Sequence, residues 1–248
     1  MKTIAFVTRI LPGKVDEFKE FCSALEGGHR AEVVTAHRKA GLMREQVFVQ
    51  YAPMGELAIF VWDTDDAANV FRSFAADTTD HGTWYRTQLG NICGLDFHDS
   101  EEFVRPLVCG EWFSKSWSMR GFEGSALCFP LAEGKNHSAR KFVTSLLPRG
   151  NYHQKYWRMC KRFGVTRQLF CAQQTPDGEI AVMYGEGVHD WFPNAYQSIA
   201  MSDDSFLKMW RTKLNDMAAL VMFGADPTPP KVEQVLHLAS AMPARARV

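Results

Sequence analysis

Residues 41–62, GLMREQVFVQYAPMGELAIFVW, decide the fold, because residues 164–185, GVTRQLFCAQQTPDGEIAVMYG, repeat them. Laid together without a gap, Gly41 meets Gly164, Arg44 meets Arg167, Gln50 meets Gln173, Pro53 meets Pro176 and Gly55-Glu56 meets Gly178-Glu179. Each stretch is a run of β-branched and aromatic residues, a turn rich in proline and glycine, and a second such run. That is the pattern of a β-hairpin. The match extends outward with short slips in loops. Gly13-Lys14 meets Gly134-Lys135, Phe21 meets Phe142, Leu25 meets Leu146, Trp84-Tyr85-Arg86 meets Trp210-Arg211 and Leu89 meets Leu214. The chain of 248 residues is therefore read as two copies of one unit.

One unit reads as a strand at 3–9, helices at 14–26 and 29–40, the hairpin at 43–62, helices at 65–76 and 80–90, and a last strand at 92–97. Asp63-Thr64-Asp65 supplies capping oxygens for the third helix. The second copy places strands near 124–130, 166–174, 179–185 and 219–223, with helices near 135–147, 150–163, 188–200 and 203–217. Residues 101–108 and 230–239 read as short packing helices. The fold class is α+β, two tandem ferredoxin-like β-α-β-β-α-β units forming a pseudo-twofold α/β barrel. The expected divisions are an N-terminal unit at 1–108, a linker at 109–123, a C-terminal unit at 124–240 and a tail at 241–248.

Composition narrows the function classes. Lys and Arg total 28 and Asp and Glu total 28, so no net positive charge draws the chain to nucleic acid. The basic stretch Lys155, Arg158, Lys161, Arg162 and Arg167 with Tyr156, Trp157 and Phe163 reads as a solvated helix face. No run of apolar residues is long enough to span a bilayer, and the start MKTIAFVTRILPGK reads as a first strand rather than a signal peptide. Six cysteines without a CxxC pair read as isolated thiols in a reducing cytoplasm, not as disulfides or a zinc site. The chain also lacks the glycine-rich phosphate loops, HExxH and GxSxG.

The element order, the paired hairpins and the Trp-containing helices resemble the dimeric α/β-barrel superfamily, over about residues 1–100 and 123–224. That superfamily includes antibiotic-biosynthesis-type monooxygenases and haem-binding chlorite-dismutase-like proteins. The resemblance implies cofactor-independent oxygenation, cyclisation or isomerisation of an aromatic or polyketide-like compound, without a bound cofactor. The alternatives are a non-catalytic ligand-binding or assembly module and a haem-binding protein, with His153 as the candidate axial ligand. The partner is a small-molecule substrate, and the assembly state a monomer or homodimer.

Candidate residues lie where the copies differ. His81 opens the last helix of the first unit with Trp84 one turn on, and Tyr85, Arg86 and His37 complete the set. A histidine against an aromatic wall suits a general base, with arginine and tryptophan donors steadying the resulting anion. His81, Trp84 and Arg86 are thus the catalytic candidates. On the strands, Arg44, Gln46, Phe48 and Gln50 share one face, as do Arg167, Leu169, Cys171 and Gln173. Arg44 and Gln50, with Trp62, Tyr184 and His189, are the substrate-contact candidates. His189 and Asp190 are expected not to face each other, as neighbours on a helix do not. A polar-lined cavity of roughly 300 Å³ or more would mark the site.

Overall fold

Both hairpins form as the sequence lays them out. The computed structural model describes residues 2–95, 106–115, 117, 122–224 and 228–240. Its elements run β1 (Lys2–Arg9), α1 (Val15–Glu26), α2 (Arg30–Ala40), β2 (Leu42–Ala52), β3 (Gly55–Thr64), α3 (Ala67–Ala76), α4 (Asp80–Cys93) and β4 (Leu107–Phe113). Then follow β5 (Glu123–Pro130), α5 (Asn136–Leu146), α6 (His153–Arg162), β6 (Val165–Thr175), β7 (Gly178–Gly187), α7 (Trp191–Met201), α8 (Ser205–Met217) and β8 (Val232–Ala239). Among the described residues this is an α+β chain with eight helices and two four-stranded antiparallel sheets. No helix of the described residues is long and apolar enough to cross a membrane.

The chain divides into unit 1, Met1–Arg105 with Val232–Val248, and unit 2, Pro106–Lys231. The sheet of unit 1 runs β1-β3-β2-β8, and that of unit 2 runs β5-β7-β6-β4. This corrects the expected edge strands. Ile92 and Cys93 end helix α4 rather than opening a strand, and 96–97 lie outside the described residues. Residues 219–223 form no strand, only an isolated bridge from Ala218 to Leu131 just before them. Of the expected packing helix at 101–108, only 106–108 are described, and Leu107 begins β4. The other, at 230–239, is strand β8. The physical reason is the first strand of each hairpin. β2 pairs with β3 on one side only, and most of its residues are buried. Its other row of backbone groups needs partners, and β8 supplies them. β4 does the same for β6.

Gly41 and Gly164, the first residues of the repeat, sit between a helix and a strand at φ of 78° and 67°. That left-handed turn closes the helix C-terminus and favours glycine. Between helices and sheet, unit 1 buries Phe6, Phe18, Phe21, Leu25, Val47, Val49, Phe60, Trp62, Phe74, Tyr85 and Leu89. Unit 2 buries Leu127, Phe129, Phe142, Tyr156, Phe170, Trp191, Tyr196, Trp210 and Leu214. The opposite strand faces are buried too and carry polar groups, Arg44, Gln46, Gln50 and Asp63 in unit 1 and Arg167 and Gln173 in unit 2.

Candidate functional site

The register of the first hairpin puts Glu45 opposite Trp62. Both fall on the helix side of the sheet by period 2 with Val47, Val49 and Phe60. Trp62 Nε1 donates to Glu45 Oε1 at 2.7 Å. The other carboxylate oxygen, Oε2, lies 3.2 Å from His37 Nε2 on α2, and neither side chain is exposed. This contact lacks hydrogen-bond alignment, so His37 Nδ1, His37 Nε2 and Glu45 Oε2 are buried without a hydrogen-bond partner. Most buried polar groups find one. The His37 ring packs 5.9 Å from Phe74, which lies 5.5 Å from Tyr85. Burial, and then the nearby Glu45 carboxylate, push the Tyr85 hydroxyl well above the ordinary tyrosine value. Tyr85 is therefore a neutral donor.

The layer continues outward through α4. Thr79 caps that helix, its hydroxyl accepting from the Gly82 N–H at 3.0 Å, and so fixes His81 in the first turn. The His81 ring lies 6.3 Å from Tyr85 and 5.7 Å from Trp84, centroid to centroid, and 5.6 Å from His29. His29 stacks on Trp84 at 3.9 Å. His81 Nδ1 is a fourth buried polar atom without a partner. Burial, and then the neighbouring His29, hold the His81 imidazole below the ordinary histidine value, so it is neutral near pH 7. Arg86 is engaged otherwise. It donates to the Phe74 and Asp77 carbonyls at 2.8 and 2.5 Å, tying α4 to the end of α3. Arg211 makes the same tie to Ile199 and Ala200 in unit 2, so this role belongs to the scaffold.

The strand candidates form a different set, on the opposite sheet face. Arg44 stands across from Asp63 and donates to it at 2.6 Å, while Thr3 donates to the other Asp63 oxygen at 2.6 Å. Gln50 is buried opposite Leu57. Arg167, fully buried, meets Glu186 at 2.9 Å and Glu111 at 2.8 Å, and its guanidinium carbon lies 4.9 Å from the Phe113 ring centroid and 5.1 Å from that of Trp117. Tyr184 donates its hydroxyl to Glu186 at 2.7 Å. Arg44 and Arg167 therefore already hold carboxylates of their own sheets. His189 is exposed and does meet Asp190, at 3.3 Å, besides Glu123 at 2.5 Å. The expected separation fails because these two residues precede α7, with Asp190 at φ 57°. The ligand atoms of Glu123, His189 and Asp190 lie within 4.8 Å of one another, a spacing a metal ion can bridge. Both imidazole nitrogens already face carboxylates.

Unit 2 builds the equivalent helix–sheet layer from other residues. Gln168 stands where Glu45 does, opposite Gly185 in place of Trp62. At the same offset Cys160 replaces His37, and the shared arginine tie places Phe206 at His81 and Trp210 at Tyr85. An indole still fills the layer, but from a helix. A Cβ on Gly185 would lie 2.6 Å from the Trp191 ring, so this close approach requires glycine. What remains is an apolar cavity of about 60 Å³ among Cys160, Gln168, Trp191, Tyr196 and Trp210. A second, of about 230 Å³, opens between α6 and the start of α8, and a third, near α5, holds about 40 Å³. All three fall short of a ligand pocket of roughly 300 Å³ and far short of a haem macrocycle. His153, the haem candidate, pairs Nδ1 with the Leu146 carbonyl at 3.0 Å. That bond leaves Nε2 open to a metal, so among the described residues it is the cavity volumes, not His153, that do not fit haem.

Glu45 and His29 escaped the sequence reading. Glu45 sits between Arg44 and Gln46, whose shared face drew the attention. The available signal was a lone carboxylate in phase with Val47 and Val49. Thiol chemistry finds no support in the structure. Burial pushes Cys93 and Cys160 up to about 12 and Cys22 well above its ordinary value, so none offers a ready thiolate.

No protein-family model and no curated protein sequence matches the chain. The solved structures similar to it in fold include two that cover nearly the whole chain. One is a protein of Fusobacterium nucleatum subsp. nucleatum ATCC 25586 described as a candidate monooxygenase, 9% identical, with a TM-score of 0.51 over 95% of this chain and 91% of that one. The other is an anthrone oxidase-like protein, 11% identical, with a TM-score of 0.51 over 99% and 96% of the two chains. At this identity the likeness is one of fold, and it takes in both units together.

Proposed function

We propose that this protein is an enzyme acting on a small organic molecule, and that its chemistry resides in the helix–sheet layer of unit 1. The observation that supports this most is the gathering there of all four buried polar atoms without a hydrogen-bond partner found among the described residues, on His37, Glu45 and His81. Leaving such groups unpaired costs stability, and a perturbed imidazole in an aromatic setting is a site signature. The fold shared with monooxygenase-like and anthrone oxidase-like proteins agrees with the reading, by analogy alone.

The reaction is cofactor-independent oxygenation, cyclisation or isomerisation of an aromatic or polyketide-like compound, with the same first step in each case. Neutral His81 takes a proton from an acidic C–H or O–H, and Trp84 and His29 wall the ring. The Tyr85 hydroxyl lies behind as a donor to the anion, and the Glu45 carboxylate beyond it, held by Trp62, steadies the imidazolium. In the oxygenation of an anthrone-type CH₂ centre, the carbanion reduces dioxygen and forms the C–O bond of a hydroperoxide. The imidazolium returns its proton, and loss of water leaves the carbonyl. The sum is CH₂ plus O₂ giving C=O plus H₂O. Arg86 acts only by positioning α4.

The test is turnover of phenolic and anthrone-type substrates in air, followed by oxygen uptake and product absorbance. His81→Ala should lower kcat/KM at least about tenfold with an unchanged melting temperature. Full activity in the folded variant removes His81 from the mechanism, and turnover lost only under argon identifies oxygenation.

A further inference from the structure

We propose that unit 2 holds a separate binding site for a small anionic amphiphile, a phosphate or carboxylate on a slim apolar tail, seated between α6 and the start of α8. The cavity of about 230 Å³ there is lined by Lys155, Arg158 and Arg162, three cations on one face of α6. Among the described residues no carboxylate lies in ion-pair contact with any of the three. The acidic residue in the wall, Asp204, spends Oδ1 on the N–H groups of Phe206 and Leu207. It therefore caps α8 and leaves the cations to hold an anion. Two of the lining residues, Met159 and Phe163, also line the apolar cavity of about 60 Å³ behind. A charged mouth thus adjoins an apolar interior walled by Trp191, Tyr196 and Trp210.

Size sets the tail. The inner cavity, about 60 Å³, offers several times the ~15 Å³ that holds one water but less than half of the ~150 Å³ that holds benzene, so it takes the end of a slim chain and no ring, and the rest of the tail lies along the mouth. The groove belongs to unit 2 alone, because Glu32, Thr35 and Lys39 stand at the corresponding positions of unit 1. Nucleic acid fits less well. Formal charge over the chain is zero, Arg167 is buried, and Lys161 packs over Trp157 at 5.5 Å on another face of α6.

Calorimetric titration of the full chain with octyl phosphate, inorganic phosphate and octanol tests the site without requiring turnover. Octyl phosphate should bind more tightly than either half-ligand, and added salt should weaken it. Arg158→Ser with Arg162→Ser should cost about tenfold or more in affinity for octyl phosphate at an unchanged melting temperature. Met159→Trp, at a residue that lines both cavities, or Ala195→Phe, which fills the interior, should abolish the advantage over inorganic phosphate. Equal affinity in the folded double-arginine variant overturns the proposal. So does inorganic phosphate binding as tightly as octyl phosphate, or displacement of the ligand by a single-stranded oligonucleotide.

Discussion

The helix–sheet layers of the two units occupy the same positions of one scaffold and differ in nearly every polar atom. Unit 1 has His37, Glu45, Trp62, His81 and Tyr85 where unit 2 has Cys160, Gln168, Gly185, Phe206 and Trp210. The opposite sheet faces behave in the reverse way. There Arg44–Asp63 and Arg167–Glu186 are the same cross-strand pair, kept in both units. A feature held in both units is explained by the scaffold, as with these pairs and the arginine ties of α4 and α8. A feature held in one unit needs another explanation. The titratable layer is confined to unit 1, and the unpaired cationic groove to unit 2.

The strongest way to break the comparison is at Trp62. Its indole fills the centre of unit 1 and also partners Glu45, whereas unit 2 tolerates glycine there because Trp191 enters from α7. Trp62→Ala should therefore cost about 3–5 kcal/mol in urea unfolding, since no side chain stands ready to replace it. A loss below about 1 kcal/mol would mean that the layer collapses to heal the cavity.

Much of this contrast was legible in the residues, and the limits have physical causes. The hairpins carry their own register, so Arg44 and Arg167, and the turns at Pro53 and Pro176, fall where the repeat puts them. The edge strands do not. PKVEQVLHLA at 230–239 has helix-forming Glu, Gln, Leu and Ala, and only the open side of β2 makes it a strand. Its pairing is with a strand some 190 residues earlier in the chain, as Gln46 opposite His237 illustrates, and no local pattern encodes that. At the site, His81 and Trp84 at one-turn spacing predicted a shared face, and the rings do lie 5.7 Å apart. The repeat paired Trp84 with Trp210, but the arginine ties set Tyr85 there instead, one residue along. Trp84 is thereby freed to stack on His29.

A smaller change in stability should come with a large change in chemistry at Glu45. Glu45→Gln gives unit 1 the residue of unit 2 and keeps an oxygen for the Trp62 N–H. It removes a buried carboxylate whose Oε2 lies 3.2 Å from His37 Nε2 but makes no aligned hydrogen bond. Unfolding free energy should stay within about 1 kcal/mol of the parent, because the amide has the same shape and keeps the Trp62 hydrogen bond. Under the proposed mechanism kcat should fall at least about tenfold. Stability lost together with activity would make Glu45 structural only.

A pH-dependent effect separates His81 from Phe206, its counterpart. The folded chain holds the His81 pKa below the ordinary value, so the unfolded chain binds the proton first as pH falls. The stability it affects is thus intact above about pH 6.5 and declines below it, until the folded imidazole also protonates. His81→Phe should flatten the loss of urea midpoint between about pH 7 and 5. The parent rate profile should keep its acid limb below the ordinary histidine value. An acid limb at or above that value would exclude His81 as the base.

The smallest effect is expected at His189, although it makes the shortest contact in its cluster. Glu123 raises the His189 pKa chiefly through their hydrogen bond, and His189 lowers that of Glu123. The pair therefore favours folding between the folded pKa of Glu123 and that of His189, and the gain fades as pH passes either end. Both groups are exposed, however, and salt screens them. The contacts that seat Trp191 do not involve the imidazole. The indole N–H donates to the Glu123 carbonyl at 3.0 Å, and the Asp190 N–H, at a left-handed residue, donates to Glu123 Oε2 at 3.1 Å. His189→Ala should leave the melting temperature nearly unchanged at low and high salt, whereas Glu123→Ala should lower it measurably at both. If His189→Ala instead matches Glu123→Ala, the imidazole holds Trp191 in place. Unit 2 would then depend on a titratable group for the packing that unit 1 obtains from Trp62.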